Sequence, residues 1–72
     1  MHRELTVAAV RGSEEEDHLE VLFLESARIY LLPRARPDFD ELRDRLREGR
    51  RVRIELASLD ADVIEDVRAR PP

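Results

Sequence analysis

The chain of 72 residues has no cysteine, lysine, asparagine, glutamine or tryptophan. Without cysteine it has neither a disulfide nor a cysteine-based zinc site. Without lysine it lacks a Schiff-base nucleophile, and its two glycines are too few for a glycine-rich phosphate cradle. No serine lies in a Gly-x-Ser-x-Gly nucleophile motif. We therefore expect a protein that is not an enzyme, with no catalytic residues, no cofactor and no metal site.

Aromatic side chains are also scarce, since only Phe23, Tyr30 and Phe39 are present. They offer few platforms on which nucleic-acid bases could stack. The missing Asn and Gln leave no side-chain amide to read adenine. Every basic residue is arginine, which is typical of a GC-rich genome. The lack of thermolabile side chains raises the hypothesis of a thermophilic source.

Length and charge predict one small, soluble domain spanning residues 1–72. Seventeen acidic residues outnumber thirteen basic ones, for a formal charge of −4. Leu, Ile, Val and Phe together make up 21 of the 72 residues, above the level of disordered chains, so a folded core is expected. No apolar run has the length of a membrane span or a signal peptide. We expect a cytoplasmic location and no membrane partner.

Alternating apolar residues predict three strands in the first half of the chain. These are Glu4–Val10, Leu19–Glu25 and Arg28–Leu32. In the first strand, Leu5, Val7 and Ala9 are predicted to share one face. An acidic loop at residues 14–18 follows that strand and is interpreted as a solvated hairpin tip. A single long, bent strand is the alternative to the second and third strands.

A helix and a fourth strand are predicted in the second half. Asp38 is a candidate N-cap that forms a capping box with Glu41, and Gly49 is placed at the C′ position. The fourth strand is predicted at Arg50–Ala57, with alternate apolar residues facing inward. Residues 58–70 fit either a strand or a helix, and their β-branched residues favour the strand.

The predicted order is therefore βββαββ, in an α+β, β-rich fold. This order is clearest in the segment Pro37–Leu42, in Leu46 and Gly49, and in the strand Val52–Leu56, followed by the closing residues Ile64 and Val67. Across residues 4–68 the chain resembles the OB-fold family of small five-stranded barrels. The resemblance implies ligand binding on the face of the second and third strands and on the loops beside it. An SH3-like barrel and a βββαβα sandwich remain alternatives.

The second and third strands are apolar on both faces. The side chains left over after one face is assigned to the core are Leu22, Leu24, Ile29 and Leu31. Either the helix and barrel closure cover them, or they form an interface, because an exposed apolar patch usually marks a contact site. Small domains also gain buried area by assembly. We predict an interaction surface for another protein or for a second copy, as a homodimer or larger assembly.

Arginine is concentrated between residues 43 and 53. The candidate phosphate-binding side chains are Arg43, Arg47, Arg50, Arg51 and Arg53. The competing interpretation is ion pairing with neighbours such as Glu41 and Asp44. The net charge of −4 repels polyanions at long range. The sequence thus predicts a protein-interaction or oligomerisation module, with an OB-like nucleic-acid-binding barrel as the alternative.

Overall fold

The computed structural model describes residues 1–69. Its elements follow the order β1 (His2–Arg11), β2 (His18–Phe23), β3 (Ser26–Pro33), α1 (Phe39–Arg45), β4 (Arg51–Glu55) and β5 (Asp66–Ala69). The strands form one five-stranded antiparallel sheet in the order β3-β2-β1-β4-β5. The β-rich α+β prediction is confirmed at this level, because the fold is a five-stranded antiparallel sheet with a single short helix.

Strand β1 lies at the centre of the sheet and pairs with both β2 and β4. Its first half pairs with β4 from His2 to Thr6, and its second half pairs with β2 from Val7 to Arg11. A bulge between Val7 and Ala9 shifts the register. Ala9 then pairs with Leu22 on the outer face, so the predicted single face of Leu5, Val7 and Ala9 is wrong. The bulge reverses the alternation, because one extra residue turns every following side chain to the other side.

Strands β2 and β3 form a hairpin with a turn at residues 24–25, which excludes one long bent strand. Leu19, Val21 and Phe23 face the core, because alternate residues of a strand point to the same side. Their cross-strand neighbours Tyr30 and Leu32 are fully buried. The opposite side chains of both strands therefore form the outer face.

Helix α1 begins at Phe39, as predicted, and ends at Arg45. The predicted capping box is wrong: Asp38 makes no capping hydrogen bond, and its carboxylate instead accepts a 2.9 Å bond from Nε of Arg36. Gly49 is not the C′ residue either, because the C-cap is Leu46. Gly49 has a φ of 81°, a value suited to glycine. It lies in the turn that leads to β4.

The last segment is a strand rather than a helix, which excludes the βββαβα arrangement for residues 1–69. β5 begins at Asp66, later than the sequence pattern indicated. Ahead of it, Val63 forms an isolated parallel bridge with Leu31 of β3. Two 2.8 Å backbone bonds hold this bridge: the Leu31 amide donates to Asp62, and the Ile64 amide donates to Leu31. Within residues 1–69, no continuous ladder joins β3 to β5. Residue 70 of the predicted segment lies outside the described residues.

The core is one cluster of buried apolar side chains from all five strands, α1 and the segments that follow α1 and β4. β4 contributes Val52 and Ile54, both fully buried, and Leu56 follows with 2% exposure. The inward alternation predicted for this strand is thus confirmed. Arg45 fastens the helix to β5 through a 2.8 Å bond to the Val67 carbonyl. Among residues 1–69 there is no helix long and apolar enough to cross a membrane.

Candidate functional site: an apolar outer sheet face

The outer apolar face consists of Leu22, Leu24, Ile29, Leu31 and Val63. Leu22 is the cross-strand partner of Ile29, and Leu31 is the bridge partner of Val63. Paired residues point to the same side of a sheet, so these side chains form contiguous rows. Leu24 is 71% exposed, and Ile29 and Val63 are each 45% exposed. Of the four side chains named from the sequence, Leu22, Ile29 and Leu31 thus lie on one face of the sheet, and Leu24 lies exposed in the adjoining turn.

Val63 belongs to this face although the sequence analysis did not assign it there. It precedes Ile64, which is fully buried. Two adjacent β-branched residues in extended backbone must point to opposite sides, so one of the pair had to face outward. Leu59, 59% exposed, lies in the same connection between β4 and β5. Its carbonyl accepts a 3.1 Å hydrogen bond from Arg28 of β3.

A polar clamp made by Thr6, Glu25 and Arg51 ties the β2–β3 turn to β1 and β4. The Glu25 carboxylate accepts 2.7 Å bonds from the backbone amide and the hydroxyl of Thr6, and a 3.1 Å bond from Arg51. The Thr6 bonds, assisted by Arg51, lower the pKa of Glu25 below its ordinary value. Because the folded pKa is lowered, the clamp contributes at neutral pH and is lost as the pH falls through that pKa.

The predicted arginines occupy three different places. Arg43 lies on α1, Arg47 and Arg50 lie in the turn before β4, and Arg51 and Arg53 lie on β4 itself. The last two share the outer face of that strand, because Val52 and Ile54 face the core. The structure thus brings Arg51 and Arg53 together on one face and Arg47 and Arg50 together in one turn, whereas Arg43 lies on the helix.

Three of the five have a carboxylate within 4 Å. Arg51 contacts Glu25 at 3.1 Å, Arg43 contacts Asp40 at 3.8 Å, and Arg53 contacts Glu55 at 4.0 Å. Ion pairing was the competing interpretation, although its partners differ from those predicted. Arg47 instead donates to the backbone carbonyl of Asp44 at 3.1 Å. The region is therefore a mixed-charge surface rather than an acid-free basic patch.

Arg34 and Arg43 contact Phe39 at the start of α1. Their guanidinium carbons lie 5.2 and 5.8 Å from the ring centroid, within the range of cation–π attraction. Arg34 also donates a 2.6 Å bond to the Ser13 carbonyl. It therefore links the acidic β1–β2 loop to the helix. Phe39 is only 8% exposed, so its ring cannot serve as a stacking platform for a base.

Acidic side chains dominate the β1–β2 loop, where residues 14–17 are all exposed. Residues 1–69 hold no group of three or more His, Asp or Glu placed to bind a metal ion. His2 is hydrogen-bonded to Arg53 at 2.9 Å and lies on β1, while His18 begins β2. Ile29 and Val63 are exposed although the core lies on the other side of the sheet, and the outer apolar face is therefore the candidate functional site. Comparison of the chain with models of known families, with curated proteins and with solved structures gave no match.

Proposed function

We propose that this protein is a small, non-enzymatic protein-interaction module that binds through its outer apolar face. One observation carries the proposal: large apolar side chains lie in register on β2, β3 and the Val63 segment, yet Ile29 and Val63 are each 45% exposed. Leu24, in the turn after β2, is 71% exposed. Exposed apolar patches of this kind are typical of contact sites. The predicted homodimer or larger assembly would use the same face.

We also propose that the sheet forms the wall of an OB-like barrel. The order βββαββ, with the helix between β3 and β4, supports this arrangement. The parallel bridge between Leu31 and Val63 supports it further, because it joins β3 to the chain just ahead of β5. In that family the face of the second and third strands binds ligands, and here the outer apolar face occupies it.

Self-association tests the proposed face directly. We expect the chain to be monomeric at low salt and micromolar concentration, because its net charge of −4 keeps copies apart. At several hundred micromolar in high salt, screening should permit weak association through the apolar face. Sedimentation equilibrium should show the mean mass rising with salt for the native chain and staying monomeric for Ile29→Asp.

The matched control is Ala69→Asp, which adds the same charge at an exposed residue of β5. It should associate as the native chain does. If Ala69→Asp abolishes association as completely as Ile29→Asp, net charge rather than the apolar face is responsible. A chain that stays monomeric in high salt and binds no apolar peptide through this face would overturn the proposed function.

Nucleic-acid binding through the arginines is the second candidate. Arg51 and Arg53 support it by sharing the outer face of β4, where Arg68 of β5 pairs with Arg53. The neighbouring carboxylates and the burial of Phe23, Tyr30 and Phe39 weigh against it. We expect mixed-sequence single- and double-stranded oligonucleotides not to bind at low salt, by fluorescence anisotropy. Micromolar binding that weakens steeply with salt, and is lost in Arg51→Glu/Arg53→Glu, would instead establish this function.

A further inference from the structure

We infer that the partner of the outer apolar face is a basic amphipathic helix, with apolar side chains along one stripe and Arg or Lys beside it. This inference rests on the proposed function and specifies the chemistry of the partner. The charges around the face, the hydrogen bonds already made at its edge and its width all favour such a helix.

Unpaired carboxylates surround the face. Glu20 lies on the outer face itself, between its cross-strand partners Arg11 and Leu31. Asp60 follows the exposed Leu59 in the connection between β4 and β5. At the end of the face where β1 turns into β2, the loop adds Glu14, Glu15, Glu16 and Asp17. Among residues 1–69, none of these six carboxylates takes part in an ion pair.

Arg28, Arg34 and Arg51, three of the four basic groups beside the face, already have a hydrogen-bond or ion-pair partner. Arg28 contacts Asp62 at 3.4 Å, and Arg51 contacts Glu25 at 3.1 Å. Arg11 is opposite Glu20, and Arg34 is bonded to the Ser13 carbonyl at the base of the acidic loop. Around the face there are therefore six carboxylates without an ion pair but only two guanidinium groups without a carboxylate contact, those of Arg11 and Arg34. The surroundings of the apolar face carry a net negative charge.

This charge selects among possible occupants. A second copy would bring the same negative border against itself, and an acidic partner would be repelled in the same way. A partner with Arg or Lys beside an apolar stripe would be attracted before contact. Its apolar side chains would then cover the exposed Leu24, Ile29 and Val63.

The edge of the face favours a helix over an added strand. Both backbone groups of Leu31 that point away from β2 are occupied, the amide by Asp62 and the carbonyl by Ile64. A strand paired at this position would have to displace those two bonds. The face spans β2, β3 and the Val63 segment, about 10 Å at the usual strand spacing. That width matches one helix with its side chains, which is about 10–12 Å across.

Four synthetic 18-residue peptides test the inference on the full chain. Three carry the same leucine stripe at helical spacing, flanked by Lys and Arg, by Ser and Gln, or by Glu. The fourth has the composition of the basic peptide with its stripe scrambled. Fluorescence anisotropy at 50 and 300 mM salt gives affinities, and amide chemical shifts locate the contact.

We expect the basic amphipathic peptide to bind at least ten-fold more tightly than the other three. Its affinity should fall several-fold between the two salt concentrations. The shifted amides should cluster in β2, in β3 and around Val63. Ile29→Ser/Val63→Ser should weaken binding at least ten-fold, and urea unfolding of this variant establishes that it remains folded.

Charge variants of the protein complete the design. Neutralising the loop with Glu14→Gln, Glu15→Gln and Glu16→Gln should lower the affinity for the basic peptide several-fold. The matched control neutralises three other exposed acids without ion pairs, by Glu41→Gln, Asp44→Asn and Glu48→Gln, and should leave binding within two-fold. Equal losses in both variants would show that only the total charge matters and would overturn the inference.

The remaining outcomes separate this inference from the proposed function. If the neutral or acidic amphipathic peptide binds as tightly on the same face, the interaction module stands and the basic partner is wrong. If the scrambled basic peptide binds as tightly as the basic amphipathic peptide, the binding is non-specific charge attraction and the inference is wrong. Dimerisation through the face at low salt and micromolar concentration, blocked by Ile29→Asp, would identify a second copy as the occupant and overturn the basic partner. No binding of any peptide in a chain that stays monomeric would overturn both.

Discussion

Ile64→Ala should lower the free energy of unfolding by about 2–5 kcal/mol, as much as a substitution in a central strand. Ile64 lies outside the named strands but is fully buried, and its amide donates a 2.8 Å bond to Leu31. Truncating it removes core packing and leaves a cavity beside β3. A domain of this size has little more than about 5 kcal/mol of stability to lose. Urea unfolding followed by circular dichroism gives the value.

Ile54→Ala is the matched comparison, since Ile54 is equally buried on β4. Val63→Ala is the exposed control, and we expect it to cost less than about 1 kcal/mol because its side chain is 45% exposed. Comparable effects at Ile64 and Ile54 would indicate that the bridge to β3 belongs to the cooperative core, as an OB-like barrel requires. If Ile64→Ala only accelerates hydrogen exchange in residues 57–65 and leaves global stability unchanged, the proposed barrel wall is wrong.

The interior of the sheet could be predicted from the sequence because the period of two is uninterrupted there. In β4, charged and apolar residues alternate from Arg51 to Leu56, and the burial follows that alternation. In β2 and β3 the same period separates Val21 and Tyr30 inside from Leu22 and Ile29 outside. Both faces of β2 and β3 are apolar, and only one of them can pack against the small core. The outer apolar face therefore follows from the hydrophobic pattern alone.

The bulge in β1 could not be predicted, because its cause lies in distant parts of the chain. Val7 pairs with Phe23 on one side. On its other side, its amide donates to Arg50 and its carbonyl accepts from Gly49, at 2.9 and 2.8 Å. The strand changes partners at this residue, from β4 to β2. The alternation of apolar residues within β1 does not indicate this change of partner, so the sequence predicts Ala9 on the wrong face.

The start of the helix shows how two local interactions compete for one side chain. Asp38 precedes the helix as an N-cap should, and Glu41 follows at capping-box spacing. The carboxylate of Asp38 nevertheless accepts a hydrogen bond from Nε of Arg36, at 2.9 Å. That bond lowers the pKa of Asp38 and raises the pKa of Arg36. Both interactions would use the ionised carboxylate and be charge-assisted, so the sequence pattern alone does not rank the two.

The charged surroundings of the outer apolar face combine predicted and unpredicted features. The acidic loop was visible in the sequence and was interpreted as a solvated hairpin tip. Its position at the end of the apolar face follows from the pairing of Glu20 with Arg11 and Leu31. The engagement of Arg28 by Asp62 depends on the connection between β4 and β5. Only the fold places these charges around one surface, and this placement supports the basic partner.

Tyr30→Phe should destabilise the protein by about 1.5–3 kcal/mol, the range for a hydrogen bond to a charged group. Tyr30 is fully buried, and its hydroxyl accepts a 2.7 Å bond from Arg3. Arg3 shares the inner side of the sheet with its pairing partner Ile54, and it forms no ion pair within residues 1–69. Removing the hydroxyl leaves a half-buried guanidinium without that acceptor. The ring contact with Phe23, 5.5 Å between centroids, survives the substitution.

A double-mutant cycle with Arg3→Met isolates the bond from the change in packing. Met keeps apolar volume at the site and removes the charge that needs an acceptor. In the Arg3→Met background, Tyr30→Phe should therefore cost less than about 1 kcal/mol, because no guanidinium is left unpaired. Thermal unfolding by calorimetry should show the single Tyr30→Phe variant melting about 6 °C or more below the native chain. Equal costs in both backgrounds would show that the bond contributes nothing and that Tyr30 acts through packing alone.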